Sequence, residues 1–205
     1  MVVSTVGGYT CNESAPYYDK CTYDTVSIGT QCWMKQNMNV GNMIAGATNQ
    51  ANNSTLEKYC YGNSYGNCQT QGGLYQWNEA MQYSASEGAQ GICPTGWHVP
   101  TDAQQNTLDQ YLSNTTCNAS RNGAWDCADA GTKLKSGGSS GFEGLLGGIR
   151  TTDGTSYGQG TYALFWSSSI NGSNAWVRYL ISSDATVYRL SALRAASYSV
   201  RCLKD

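Results

Sequence analysis

Nine cysteines in a chain of 205 residues constrain this sequence more than any other feature. They stand at positions 11, 21, 32, 60, 68, 93, 117, 127 and 202. None forms a C-x-x-C pair and His98 is the only histidine, so a zinc site made of closely spaced ligands is disfavoured. Disulfides are the other common use of so many cysteines, and they imply an oxidising compartment. Three local pairs suggest themselves within turn-rich, polar sequence: Cys11–Cys21, Cys60–Cys68 and Cys117–Cys127. Cys93 and Cys202 then remain as a long-range pair, with Cys32 left over. Eight cysteines can pair in about 105 ways, and spacing alone does not choose among them.

Charged residues make up only 13% of the chain, about half the usual fraction. Ser, Thr, Asn, Gln and Gly take their place, together with 15 Tyr and 6 Trp. Such a neutral, hydroxyl- and amide-rich surface suits an extracellular or cell-surface protein. The net charge of −2 and the lack of any Lys/Arg cluster argue against nucleic acid and anionic membrane as partners. No segment has the composition of a membrane span, and Met-Val-Val-Ser-Thr lacks the basic and apolar regions of a signal peptide. We expect an export or anchoring segment to lie outside this sequence. Sequons at Asn12, Asn52, Asn53, Asn114, Asn118 and Asn171 permit glycosylation but are expected by chance in so Asn-rich a chain.

Residues 1–22 hold one cysteine pair and little periodicity, and read as a stapled N-terminal extension to a domain of residues 23–205. Alternation over 25–29 predicts a strand and turn, and a polar loop follows to about residue 70. Leu74, Trp77 and Met81 fall on one face of a first helix over 73–81. Thr101 caps a second helix, with Gln104 as its capping-box partner and Leu108, Tyr111 and Leu112 as its apolar stripe. Residues 115–160 are loop- and Gly-rich, anchored by Phe142, Leu145, Leu146 and Ile149. Short strands follow around 163–168, 175–182, 186–190 and 198–203. Two helices followed by short strands predict an α+β fold with long, disulfide-stapled loops.

Five ordered segments add a more specific signal. They are Val-Ser-Ile-Gly-Thr-Gln-Cys-Trp-Met-Lys-Gln-Asn-Met-Asn (26–39), Gly-Gly-Leu-Tyr-Gln-Trp-Asn-Glu-Ala-Met (72–81), Ile-Cys-Pro-Thr-Gly-Trp-His-Val-Pro-Thr-Asp (92–102), Trp-Ser-Ser-Ser (166–169) and Ser-Val-Arg-Cys-Leu-Lys-Asp (199–205). Together they resemble the Fibrobacter succinogenes major paralogous domain, a family of microbial surface proteins. The resemblance implies a C-type-lectin-like fold with short mixed and antiparallel strands, and a Cys93–Cys202 disulfide. Closing so long a loop contributes about 4–5 kcal/mol by chain-entropy arguments. Cys32 departs from the family, which carries an apolar residue there; it reads as a free buried thiol, with an intermolecular disulfide as the alternative. The Glu-Pro-Asn or Gln-Pro-Asp loop and Trp-Asn-Asp strand of calcium-dependent lectins are missing, which disfavours calcium-dependent sugar binding.

Catalytic readings fare poorly, and no metal or cofactor is expected. His98 sits in the Gly-Trp-His-Val-Pro turn without a partnered nucleophile, and the 14 acidic residues are scattered. A redox enzyme like the related formylglycine-generating oxidases needs two reactive thiols, and the resemblance assigns Cys202 to the framework. Binding is the better reading. In the strand 175–182, Trp176, Arg178 and Leu180 share one face, while Val177, Tyr179 and Ile181 share the other. We expect the second face to be exposed, and residues 190–197 to form a loop with unexpected apolar side chains. The expected contact residues are therefore Ile170, Asn171, Val177, Tyr179, Ile181, Ser182, Asp184, Tyr188, Leu190, Leu193 and Ala196, meeting a protein or glycan on another cell or virus. Some lectin-like proteins are the variable proteins of diversity-generating retroelements, and framework-like segments bracketing haphazard positions fit that pattern. A structural subunit decorating a pilus or surface layer is the alternative.

Overall fold

The structure, a computed structural model, describes residues 23–205. The expected extension over 1–22 and its Cys11–Cys21 pair lie outside the described residues. In chain order the early strands are β1 (Thr25–Ile28), β2 (Gln31–Met34), β3 (Asn42–Met43), β4 (Glu57–Lys58), β5 (Tyr75–Gln76) and β6 (Trp97–His98). Next come β7 (Ala124–Asp126), β8 (Ile149–Arg150) and β9 (Ser156–Tyr157). The C-terminal strands are β10 (Tyr162–Asn171), β11 (Asn174–Ile181), β12 (Val187–Leu193), β13 (Ser197–Tyr198) and β14 (Leu203–Lys204). The helices are α1 (Tyr65–Gln71), α2 (Trp77–Ala80), α3 (Asp102–Leu112) and α4 (Ala130–Leu134).

Three four-stranded sheets, ordered β1-β2-β14-β6, β10-β11-β12-β7 and β5-β13-β8-β9, are antiparallel, and β3 and β4 form a small parallel pair. The fold is α+β, but the described residues hold four α-helices rather than two. α1 grows inside the polar loop closed by Cys60–Cys68 and buries only Cys68, so no apolar stripe announced it. The helix expected over 73–81 shrinks to α2. Leu74 bridges Tyr59 and Tyr75 pairs with Tyr198, so their backbone groups serve sheet pairing rather than a helix. Leu74, Trp77 and Met81 are nonetheless all buried. The capping box of α3 forms as read: Gln104 N donates to Thr101 Oγ1 at 3.1 Å, and Thr101 N donates to Gln104 Oε1 at 2.8 Å. Leu108 and Leu112 face the core, but Tyr111 is 64% exposed and leaves the stripe. β12 runs on to Leu193, where a loop from residue 190 was expected.

The long sheet β10-β11-β12-β7 divides two apolar cores, because neighbouring strand residues point to opposite faces. Trp166 and Val177 enter a core with Met34, Trp77, Val200 and Tyr198. Phe165 and Leu180 enter the other, with Trp33, Leu108, Leu134 and Phe142. Disulfides Cys60–Cys68, Cys93–Cys202 and Cys117–Cys127 are present, as the sequence suggested. Cys32 is a free thiol, half-buried rather than buried. These bonds place the chain in an oxidising environment. Among the described residues no helix is long and apolar enough to cross a membrane.

The sequence motifs are the joints of this frame. Trp166 Nε1 donates to Tyr75 O, Trp77 Nε1 donates to Ser167 O, and Ser168 N donates to Pro100 O, each at 2.8 Å. Asp102 N donates to Ser169 Oγ at 2.8 Å, so the Trp-Ser-Ser-Ser bulge of β10 holds both α2 and the start of α3. Arg201 is fully buried; its guanidinium donates to Asn37 Oδ1 at 2.7 Å, to Met34 O at 3.1 Å and to Phe142 O. It stacks 4.4 Å from the Phe142 ring.

Candidate functional site

β10, β11 and β12 are paired so that Tyr162 faces Ile181, Leu164 faces Tyr179, and Tyr179 faces Tyr188. Tyr188 in turn faces Trp125 on the edge strand β7. Directly paired residues share a face, so Trp125, Tyr188 and Tyr179 stand side by side, with Tyr162 diagonal to Tyr179. Tyr157, on β9 of the adjoining sheet, completes the row. The ring centroids lie 4.8 Å apart for Trp125–Tyr188, 5.4 Å for Trp125–Tyr179, 6.0 Å for Tyr179–Tyr188, 5.4 Å for Tyr162–Tyr179 and 5.6 Å for Tyr157–Tyr162. The pairs are tilted or edge-to-face, the arrangements aromatic quadrupoles favour. The result is a ridge of five aromatic residues drawn from five strands.

The ridge is partly open to solvent. Trp125 is 39% exposed and Tyr157 58%, while Tyr162, Tyr179 and Tyr188 are half-buried. Tyr162 lies against both Tyr157 and Tyr179. Burial and the neighbouring Tyr162 push the Tyr179 phenol up to about 12. It is therefore a neutral hydroxyl at physiological pH. Rings that support one another this way present large, stiff contact area, which costs little side-chain entropy on binding.

Beneath the ridge, on the opposite face of β11 and β12, lies a buried ion-pair network that fixes the sheet to α3. Arg178 donates to Asp102 Oδ1 at 2.7 Å and to Asp109 Oδ2 at 2.6 Å. Arg189 donates to Asp102 Oδ2 at 2.8 Å and stacks 3.5 Å from the Trp176 ring. Arg121 reaches Asp109 Oδ2 at 2.8 Å. Burial pushes the Asp102 carboxyl pKa up, but the hydrogen bonds and charge of Arg189 and Arg178 outweigh it, and the net pKa is lowered. β11 therefore alternates between anchored residues (Trp176, Arg178, Leu180) and ridge-side residues.

The expected contact residues do not form one patch. Tyr179 and Tyr188 belong to the ridge, with Ile181 and Leu190 half-buried on the same face. Val177 is 0% exposed and Ala196 is buried, so neither can touch a ligand. The face of β11 that carries Tyr179 is covered at Val177 by Trp166, Ala192 and Tyr198, and opens only toward the end of the strand. Ile170 and Asn171 are exposed toward the opposite end of β11, where they pair with Ala175 and Asn174, about 13–17 Å from Tyr179 at strand rise. Leu193, 59% exposed, pairs with Asn174 on the face away from Tyr179. Ser182 is exposed beyond β11. Asp184 Oδ1 accepts from Thr186 Oγ1 at 2.6 Å and Thr186 N at 2.7 Å, which lowers its pKa and commits it to the turn. Trp125, Tyr157 and Tyr162 went unnoticed in the sequence; only the abundance of tyrosine hinted at them.

His98, in β6, has both ring nitrogens engaged, with Asp205 Oδ1 at 2.6 Å and Gln104 Oε1 at 3.0 Å. Among the described residues no group of three or more His, Cys, Asp or Glu could hold a metal ion.

The profile of the Fibrobacter succinogenes major domain matches residues 26–204, nearly the whole described chain. The chain belongs to that family. Neither a curated protein nor a solved structure matches it. The Fibrobacter succinogenes major domain here spans from β1 into β14, so the disulfide Cys93–Cys202, the ion-pair network and the whole ridge fall within it.

Proposed function

We propose that this protein is a surface-displayed binding module with a C-type-lectin-like fold, and that it holds its partner through the aromatic ridge. The observation that carries this reading is the contiguous group of five aromatic residues, partly open to solvent and packed in tilted and edge-to-face contacts. Buried aromatic anchors dominate most protein interfaces, and Tyr and Trp are the residue types enriched there. Binding, not catalysis, is the proposed activity. The partner is a protein or glycan exposed on another cell or virus.

The alternation of β11 and β12 also suits diversification by a retroelement. Tyr179, Ile181 and Tyr188 can change without touching the anchored Arg178 and Arg189, because adjacent positions face opposite sides of the sheet. A near-copy of the 3′ end of the gene beside a reverse transcriptase gene supports this extension, and the absence of both removes it.

The test of the ridge is binding of fluorescently labelled protein to cells of its native community. Tyr188→Ala and Trp125→Ala should each weaken binding at least about tenfold. Tyr111→Ala removes a more exposed tyrosine from α3 and should leave binding unchanged. Equal binding by all three variants rejects the ridge as the binding face.

A further inference from the structure

A groove lies beside the ridge. The loop that leaves Tyr157 continues through Gln159 and Gly160, and these two residues form one wall of an open groove of about 560 Å3. Opposite walls come from Gln71 at the end of α1, from Thr132 and Lys135 around α4, and from Ser182 beyond β11. Its volume falls in the range of small-ligand sites.

The groove is preformed. Gly160 N donates to Leu146 O at 2.7 Å, and Ser182 N donates to Thr161 O at 2.9 Å. Lys135 Nζ donates to the carbonyls of Ile181, Ser182 and Asp184 at 3.0, 3.2 and 2.7 Å. All three ammonium protons are thus spent on pinning the turn after β11, and the one cation of the lining is not offered to a ligand. No carboxylate lines the groove. What it presents are the Gln71 amide, the Thr132 and Ser182 hydroxyls and the free carbonyl of the Gln159 amide, whose nitrogen holds Asn67 Oδ1 at 3.2 Å. Half-buried Leu145 and Leu146 supply apolar surface between them.

Such a lining has donors and acceptors in plenty and no charge to satisfy, so it matches a ligand that is itself hydroxyl-rich and neutral. A charged ligand would lose its hydration without gaining a counter-charge. We infer that this groove is a subsite for a neutral saccharide chain, bound without calcium and separate from the ridge residues Trp125, Tyr179 and Tyr188. It stands on its own residues and does not depend on the ridge being the partner face.

The test is native electrophoresis of the full chain in gels containing soluble neutral polysaccharides (a β-glucan, a xylan, a mannan and starch), with alginate as an anionic counterpart and EDTA present throughout. At least one neutral polysaccharide should retard the protein, and the Gln71→Ala/Gln159→Ala variant should lose about tenfold in apparent affinity. Tyr111→Ala, outside both the groove and the ridge, should be retarded like the parent. Melting temperatures equal to the parent's establish that the groove variant is folded. No retardation by any neutral polysaccharide overturns the proposal, as does retardation by alginate alone or retardation unchanged in the groove variant. Loss of retardation in Tyr179→Ala with none in the groove variant assigns the sugar to the ridge, and overturns the groove while leaving the ridge reading standing.

Discussion

Arg178 and Arg189 sit directly opposite one another across β11 and β12, and both donate to the Asp102 carboxylate: Arg178 to Oδ1 at 2.7 Å, Arg189 to Oδ1 at 2.9 Å and Oδ2 at 2.8 Å. Like charges paired across strands repel. Here the repulsion is offset by Asp102, in the first turn of α3 that Thr101 and Gln104 cap, and by Asp109, which also pairs with Arg178. The arrangement lets a buried polar layer lie under the sheet while the other face carries the aromatic ridge.

Removing that carboxylate leaves two guanidiniums buried side by side. Asp102→Ala should destabilise the fold by about 3–5 kcal/mol, the usual cost of stripping a buried charge of its partner. Urea unfolding measures it, and a loss below about 1 kcal/mol would mean that Asp109 alone compensates both arginines.

The same carboxylate sets an acid limit. Its folded pKa is lowered below the ordinary carboxylate value of about 3.9, so its contribution is fully present above that value and is lost as pH falls through the folded one. Melting temperature should therefore drop below about pH 4 in the parent. In Asp102→Asn, already weakened at neutral pH, that acid-side drop should be shallower.

Disulfide length separates the staples. Cys93–Cys202 closes a separation of 109 residues and Cys60–Cys68 one of 8. By chain entropy, the double serine variant of the first pair should lose about 5 kcal/mol and that of the second about 2.5 kcal/mol. Denaturant midpoints decide it; equal losses would show that constraint of the unfolded chain is not what the long staple provides.

Within the ridge, Tyr179 touches Trp125, Tyr162 and Tyr188, whereas Tyr157 touches Tyr162 alone. Aromatic pairs are worth about 0.5–1.5 kcal/mol each. Tyr179→Ala should cost about 2 kcal/mol or more, and Tyr157→Ala less than about 1 kcal/mol, in urea melts. The ridge residues thus contribute unequally to folding along its length.

Much of the frame was legible because its causes are local or covalent. Thr101 and Gln104 lie three residues apart on one helical turn, and their capping box follows from that spacing. Cys60–Cys68 and Cys117–Cys127 are close in sequence, and the family motifs implied Cys93–Cys202. The odd and even faces of β11 were also correct. What alternation does not reveal is how far along a strand a face stays covered. Val177 and Tyr179 share a face two residues apart, yet Trp166, Ala192 and Tyr198 bury the first and leave the second half-open.

By itself, then, the sequence determined the family, the cap of α3 and the α+β class, and it suggested without fixing the disulfide pairing that the structure shows within 23–205. Only the tertiary structure decided where the protein can be touched. Trp125, Tyr157, Tyr162, Tyr179 and Tyr188 come from five strands, and strand pairing across long loops is what sets them in line. No spacing rule along a single chain encodes that register, because it is fixed by which backbone groups meet after the two cores have packed.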